Sequence, residues 1–222
     1  MSFDTKGPVS TTDFEIDPRD VHYQKYQKKI RLFNSARLGL IAVALLSGLI
    51  VLGNSANTLR VYNATHLPSE YYLPLWPNEF DRRPTVALVA GSAFVVFANI
   101  ISVLFSRVKM LQNRTLIHNA VTLVAPFIGF VAALVGLTFF YTVNASSTVD
   151  TVQSWSCRWN YTNMTMQPHF GSLCSQSKAA LYLSVILVPV ELIALSVAVI
   201  EMAFERKAAS MPIRKASSPA LS

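Results

Sequence analysis

The chain has 222 residues, of which 52% are hydrophobic and 14% are charged, and its mean hydropathy is +0.38. This composition is typical of proteins that fold in lipid and argues against an ordinary water-soluble domain. The net charge of +7 does not indicate nucleic-acid binding, because the basic residues lie beside apolar runs and form no separate basic domain. We therefore expect the lipid bilayer to be its main partner, with no nucleic acid.

The N-terminal tail is polar and ends in a basic stretch, Lys25–Arg31, beside the first apolar run. Each base contributes about 1 kcal/mol of attraction to an anionic membrane surface, or the stretch serves only to fix the topology. No signal peptide is visible before this run, so we expect the first span to act as an uncleaved targeting signal.

Four apolar segments are each long enough to cross a hydrocarbon core of about 30 Å as a helix. Helices are expected because an unpaired backbone group in lipid costs several kcal/mol. The predicted fold is an all-α membrane protein, a four-transmembrane-helix bundle at 36–204 with a disulfide-bearing second outer loop. The predicted boundaries are spans at 36–56, 85–106, 120–141 and 179–204, outer loops at 57–84 and 142–178, and cytoplasmic tails at 1–35 and 205–222.

The distribution of Lys and Arg predicts the orientation. Fourteen of them lie in the two tails and in the loop after the second span, against five in the other two loops. By the positive-inside rule both termini are cytoplasmic. We expect an integral membrane protein of the secretory pathway, located at the plasma membrane.

Glycosylation motifs agree with this orientation. Asn63, Asn144, Asn160 and Asn163 begin N-x-[ST] motifs in the loops predicted to be outside, and Asn160 and Asn163 are the best candidates. A fifth motif at Asn113 lies on the cytoplasmic side and should be unused. The chain is therefore expected to be a glycoprotein.

The two cysteines of the chain, Cys157 and Cys174, both lie in the second outer loop. In an oxidising compartment, a loop too small for its own core is typically closed by a disulfide, which stabilises it by roughly 3 kcal/mol. A catalytic thiol pair is the alternative, although no Cys-x-x-Cys motif is present. Trp155 and Trp159 flank Cys157 and are expected to cover the bridge or to rest on the membrane surface.

The first outer loop contains a proline-broken aromatic stretch that includes Trp76. One interpretation is an interfacial belt at the depth of the lipid headgroups. The other is a surface that binds a partner.

Glu191 lies near the middle of the fourth span, where a carboxylate costs about 2.5 to 3.5 kcal/mol on insertion scales. Asn99 lies at a similar depth in the second span, so we predict a hydrogen bond between the two side chains. The alternative is a proton or cation relay through Glu191. Small residues four apart, such as Ala87 with Gly91 and Ala132 with Gly136, predict close helix crossings.

In the C-terminal tail, Ser217 and Ser218 follow basic residues or precede proline and are candidate phosphorylation sites. Phosphate there would weaken the attraction of the neighbouring bases to the membrane.

Sequence motifs for catalysis, nucleotide binding or zinc binding are absent, so we predict no catalytic residues, no cofactor, no metal and no enzyme activity. The span layout over residues 30–207, with Cys157 and Cys174 outside, resembles four-span membrane organisers: MARVEL-domain, claudin-like and fungal eisosome-associated proteins. Claudin-type families carry their Trp and Cys signature in the first outer loop, whereas Trp155 lies in the second. The resemblance implies a non-catalytic organiser that associates with itself, lipids or other membrane proteins. The alternatives are a transporter or channel subunit that uses Glu191 and, third, a membrane-embedded enzyme.

Overall fold

The computed structural model describes residues 18–66, 75–77, 79–107, 115–146, 148–162 and 167–209. Four long helices dominate these residues, which confirms the predicted all-α class. The elements in chain order are α1 (Pro18–Thr65), β1 (Phe80–Asp81), α2 (Arg83–Arg107), α3 (Thr115–Ser146), β2 (Asp150–Thr151), α4 (Val152–Arg158) and α5 (Phe170–Ala209).

Each long helix contains a segment that is long and apolar enough to cross a membrane, so the protein is an integral membrane protein with four spans. The candidate spans are Arg31–Thr65, Arg83–Ser106, Ala120–Ser146 and Phe170–Phe204. Helix α1 continues to Thr65 and α5 begins at Phe170, so both are helical where the sequence predicts loop. Arg60 and Lys178 marked the ends of the apolar runs, but both side chains lie on exposed helix faces and do not end the helices.

The buried positions of α1, and those of α5 from Ala180 to Glu201, alternate at intervals of three and four residues. This repeat averages 3.5 residues and is typical of helices that pack in a left-handed bundle. On α1 the buried residues are Arg37, Ile41, Ala44, Gly48, Val51, Ser55, Thr58 and Tyr62. On α5 between Ala180 and Glu201 they are Ala180, Ser184, Leu187, Glu191, Ala194, Ala198 and Glu201.

The four long helices form a ring in which α1 packs against α2 and α5, and α3 packs against the same two helices. Helices α2 and α5 therefore face each other across the centre of the bundle. One apolar layer takes a side chain from every helix: Ala44, Val95, Ala133 and Leu187.

The crossing of α2 and α3 depends on glycine. A Cβ atom on Gly91 would lie 3.0 Å from the backbone oxygen of Ala132 and 3.3 Å from the Cα of Gly136. These backbones touch because neither glycine has a side chain, as the spacing of small residues predicts.

A small cap covers the end of the bundle where α1 ends and α5 begins. We use "the cap" for residues 75–81 and 148–162, of which 78 is not described. Strand β1 pairs in parallel with β2, and a disulfide joins Cys157 of α4 to Cys174 of α5, which confirms the predicted bridge. The segments before α2 and after α3 are thereby tied together.

Trp76 anchors the cap in an aromatic cluster with Tyr62, Phe80 and Phe170. Its side chain is only 2% exposed, and its indole N–H donates to the Thr65 hydroxyl at 2.9 Å. A partner surface at Trp76 is therefore wrong, whereas the interfacial belt, which concerns depth in the membrane, stays a prediction.

Candidate functional site

Glu191 lies at the centre of the bundle, in the layer next to the one formed by Leu187, and its side chain is fully buried. The amide nitrogen of Asn99 donates a hydrogen bond to Glu191 Oε1 at 2.7 Å. The predicted contact is therefore present, and it joins two helices that face each other across the bundle. A hydrogen bond to a buried carboxyl group offsets part of the cost of removing that group from water.

The surroundings of Glu191 position this contact. The amide of Asn99 also donates to the backbone oxygen of Val95 at 3.0 Å, which fixes its direction. On the opposite side lies Gly129 of α3, where a Cβ atom would come within 2.8 Å of Glu191 Oε2. Glycine at this position leaves the space that the carboxyl group occupies.

The second carboxyl oxygen, Glu191 Oε2, has no hydrogen-bond partner among the described residues. The next buried acidic residue on α5 is Glu201, ten residues away, or about 15 Å along the helix. Ala194 and Ala198 occupy the buried positions between them. Among the described residues, no short chain of titratable groups therefore connects Glu191 with the end of the bundle at Glu201.

Glu201 forms a second polar contact inside the bundle that the sequence analysis missed. Arg37 Nη1 of α1 lies 3.2 Å from Glu201 Oε2, and both side chains are buried. The position of the two residues in the sequence indicates this contact. Arg37 lies at the start of the first span and Glu201 at the end of the fourth, and these two ends lie at the same side of the membrane. Pairing limits the cost of burying each charge.

Polar contacts also hold the cap. Asp150 receives two hydrogen bonds from the guanidinium of Arg158, each 3.0 Å long. Thr151 caps α4. Its hydroxyl accepts a hydrogen bond from the backbone N–H of Ser154, and the Ser154 hydroxyl accepts one from the backbone N–H of Thr151. The Trp155 indole donates to the backbone oxygen of Leu75 at 3.3 Å. Trp155 thus links its own segment of the cap to the segment that contains Leu75.

Comparison with known families matches residues 3–218 to a domain described as "Domain of unknown function (DUF8762)". The chain belongs to this family. Neither a MARVEL nor a claudin family is assigned, so the resemblance to those proteins extends to the span layout alone. No curated protein and no solved structure matches the chain.

The predicted modification sites of this DUF8762 chain fall in different settings. Asn63, in the last turn of α1, and Asn144, near the end of α3, are exposed but helical. Asn160 is exposed in the turn that follows α4. Three further candidates lie outside the described residues: Asn163, Ser217 and Ser218.

The disulfide also bears on the proposed thiol chemistry. Cys157 and Cys174 are the two cysteines of the chain, and both are in the bridge. Neither sulfur is available as a nucleophile while the bridge is intact.

Proposed function

We propose that this chain is a non-catalytic membrane organiser that associates with itself, with lipids or with other membrane proteins. The observation that carries the proposal is the cap, since a disulfide, a buried aromatic cluster and a strand pair hold it in one conformation. A rigid surface loses little conformational entropy when it binds a partner. The four-span layout shared with MARVEL-type proteins supports the proposal as an analogy.

The filled interior of the bundle is the second support. The central layer takes one side chain from each long helix, and the cavity beside it has a volume of only about 10 Å³. One water molecule needs roughly that much space. A packed interior is consistent with a protein that binds its partners through its outer faces.

The exposed side of the cap is the proposed partner surface. Tyr161 is 92% exposed and Trp159 is 44% exposed, and the guanidinium of Arg158 lies over the Trp155 ring. Tyrosine, tryptophan and arginine are enriched in protein interfaces, and above all at the positions that contribute most to the binding free energy. By the positive-inside rule this surface would face away from the cytoplasm, at the plasma membrane, with glycans beside it.

The test is chemical cross-linking of the tagged full chain in native membranes, compared with a Trp159→Ser, Tyr161→Ser variant. The expected result is that the higher-mass complexes of the wild type are lost in the variant. Tyr182→Ala is the matched control, because Tyr182 is also exposed but lies on the candidate span of α5. An unchanged pattern in the cap variant, or an equal loss in the control, would contradict the proposal.

A transporter or channel subunit is the second candidate, and Glu191 Oε2, which has no hydrogen-bond partner among the described residues, favours it. A carboxyl oxygen free inside the membrane is able to take up a proton or a cation. Proteoliposomes loaded with a pH-sensitive dye test this function. It predicts proton flux in the wild type and none in Glu191→Gln at equal abundance, whereas equal flux in both proteins would exclude it.

A further inference from the structure

A groove of about 790 Å³ runs along the outer face of α2, between α1 and α3. Its volume lies in the range of small-molecule sites. Small residues of α2 form its floor, so the helix surface is recessed there. They are Ala87, Ala90 and Gly91, flanked by Leu59 of α1 and by Val135 and Phe139 of α3.

The groove has a charged mouth and an apolar far end. Arg82 and Arg83 lie at the mouth together with Asp81, whose carboxylate accepts the backbone N–H of Arg83 at 2.9 Å. The three side chains leave one net positive charge. Arg83 is also the first residue of the candidate span of α2, which places this charge at the edge of the hydrocarbon core.

The length of the groove matches one leaflet. Phe94 lines its far end, eleven residues after Arg83 on the same helix. At 1.5 Å per residue this distance is about 16 Å. Half of a hydrocarbon core of about 30 Å is nearly the same length.

We propose that this groove binds one glycerophospholipid, with the lipid phosphate at Arg82 and Arg83 and one acyl chain along Ala90 towards Phe94. Arginine recognises phosphate through paired, charge-assisted hydrogen bonds. An acyl chain fills a recess that side chains of the protein leave open. The inference rests on the proposed function, since it names the lipid class with which the organiser associates.

A second copy of the chain fits this groove less well. A copy inserted in the same orientation has its own Arg82 and Arg83 at the same depth, so like charges would meet at the mouth. A phospholipid brings the opposite charge to the same place. Charge complementarity therefore favours the lipid.

The test uses purified full chain in phosphatidylcholine nanodiscs with two photoactivatable probes, a phosphatidylcholine and a diacylglycerol that carry the same diazirine acyl chain. Labelled peptides are located by mass spectrometry. We expect labelling by the phosphatidylcholine probe to concentrate on 83–94 and 132–139. We expect the diacylglycerol probe, which lacks the phosphate, to label these peptides about tenfold less, the effect of losing one charged hydrogen bond.

Two variants have matched controls. Ala90→Trp fills the groove, whereas Ala93→Trp places the same side chain on an exposed position of α2 outside it. Arg82→Gln with Arg83→Gln removes the charge at the mouth, whereas Arg60→Gln removes an exposed charge of α1 that does not line the groove. Only the groove variants should lose the concentrated labelling.

Three results would overturn the proposal: labels spread evenly over all four spans, equal labelling by the two probes, or efficient disulfide-linked dimers of Ala90→Cys in native membranes. The first indicates ordinary surrounding lipid, the second an apolar ligand, and the third a second copy. Cross-linking of the cap separates this inference from the proposed function. Groove labelling without cap-dependent complexes rejects the organiser alone, and complexes without groove labelling reject the lipid site alone.

Discussion

Glu191, Asn99 and Gly129 come from three different helices and meet at one point inside the bundle. Replacing a buried polar pair by apolar residues is often neutral for stability, but removing one partner is costly. We expect the pair to contribute more to specificity than to net stability, since a shift of α2 along α5 would separate the amide from the carboxyl group. Gly129 determines how closely α3 approaches this pair.

Gly129→Ala tests that arrangement at the level of single residues. The new Cβ would lie 2.8 Å from Glu191 Oε2, so the carboxyl group must move and its bond to Asn99 weakens. We expect a loss of about 1–3 kcal/mol in unfolding free energy, the usual cost of overpacking. The measurement is reversible unfolding in mixed micelles, followed by circular dichroism.

A double-mutant cycle supplies the control. In a Glu191→Ala background the carboxyl group is absent, so Gly129→Ala should cost much less than in the wild type. The same cost in both backgrounds would mean that the Cβ at position 129 does not contact the Glu191 carboxyl group.

The crossing of α2 and α3 is the contact between elements that depends most on the absence of side chains. Gly91→Ala places a Cβ 3.0 Å from the backbone oxygen of Ala132, and a backbone atom cannot move without its helix. We expect the helices to separate slightly, with a loss of about 1–3 kcal/mol. Gly53→Ala is the control, because a Cβ at Gly53 meets nothing within 4 Å.

The control should be neutral or stabilising by up to about 1 kcal/mol, since alanine favours helix more than glycine does. Thermal unfolding of both variants under the same conditions makes the comparison. Equal stability of the two variants would show that Gly91 is not a contact point.

The helices and the contact between Asn99 and Glu191 could be predicted because apolar length and depth in the membrane are properties of the local sequence. The same reasoning about depth applies to Arg37 and Glu201, because one lies at the start of the first span and the other at the end of the fourth. The burial of Trp76 could not be found in this way, because its aromatic partners come from three separate segments of the chain. Such contacts depend on tertiary packing rather than on a local pattern.

In the molecule as a whole, a disulfide stabilises the cap, whereas packing between the long helices stabilises the bundle. All three tryptophans of the chain, Trp76, Trp155 and Trp159, lie in the cap, so tryptophan fluorescence reports on the cap and circular dichroism on the helices. Replacing Cys157 and Cys174 by serine removes a bridge between residues 17 apart, which lowers stability by about 3 kcal/mol. We expect the fluorescence transition to shift to lower denaturant while the helical signal persists.

A cap variant whose fluorescence and helical transitions both match the wild type would show that the bridge contributes little to the cap. The double substitution is used because a single one leaves a free thiol. Single variants are therefore compared with the double variant under reducing conditions. Reduction also breaks the bridge of the wild type, so the wild type should then unfold like the double variant.

The orientation of the whole molecule underlies the proposed role of the cap, and Asn160 provides the test. This residue is exposed in the turn after α4, and its motif becomes a glycan acceptor only if the cap faces the lumen of the secretory pathway. Fourteen basic residues against five predict that orientation. In sealed microsomes we expect a glycosidase-sensitive mass that Asn160→Gln with Asn163→Gln removes, while Asn113→Gln, on the predicted cytoplasmic side, changes nothing.

Tags at both termini should be digested by added protease. A protected C-terminal tag would mean that α5 does not cross the membrane, and a glycan lost in Asn113→Gln would reverse the orientation and place the cap in the cytoplasm.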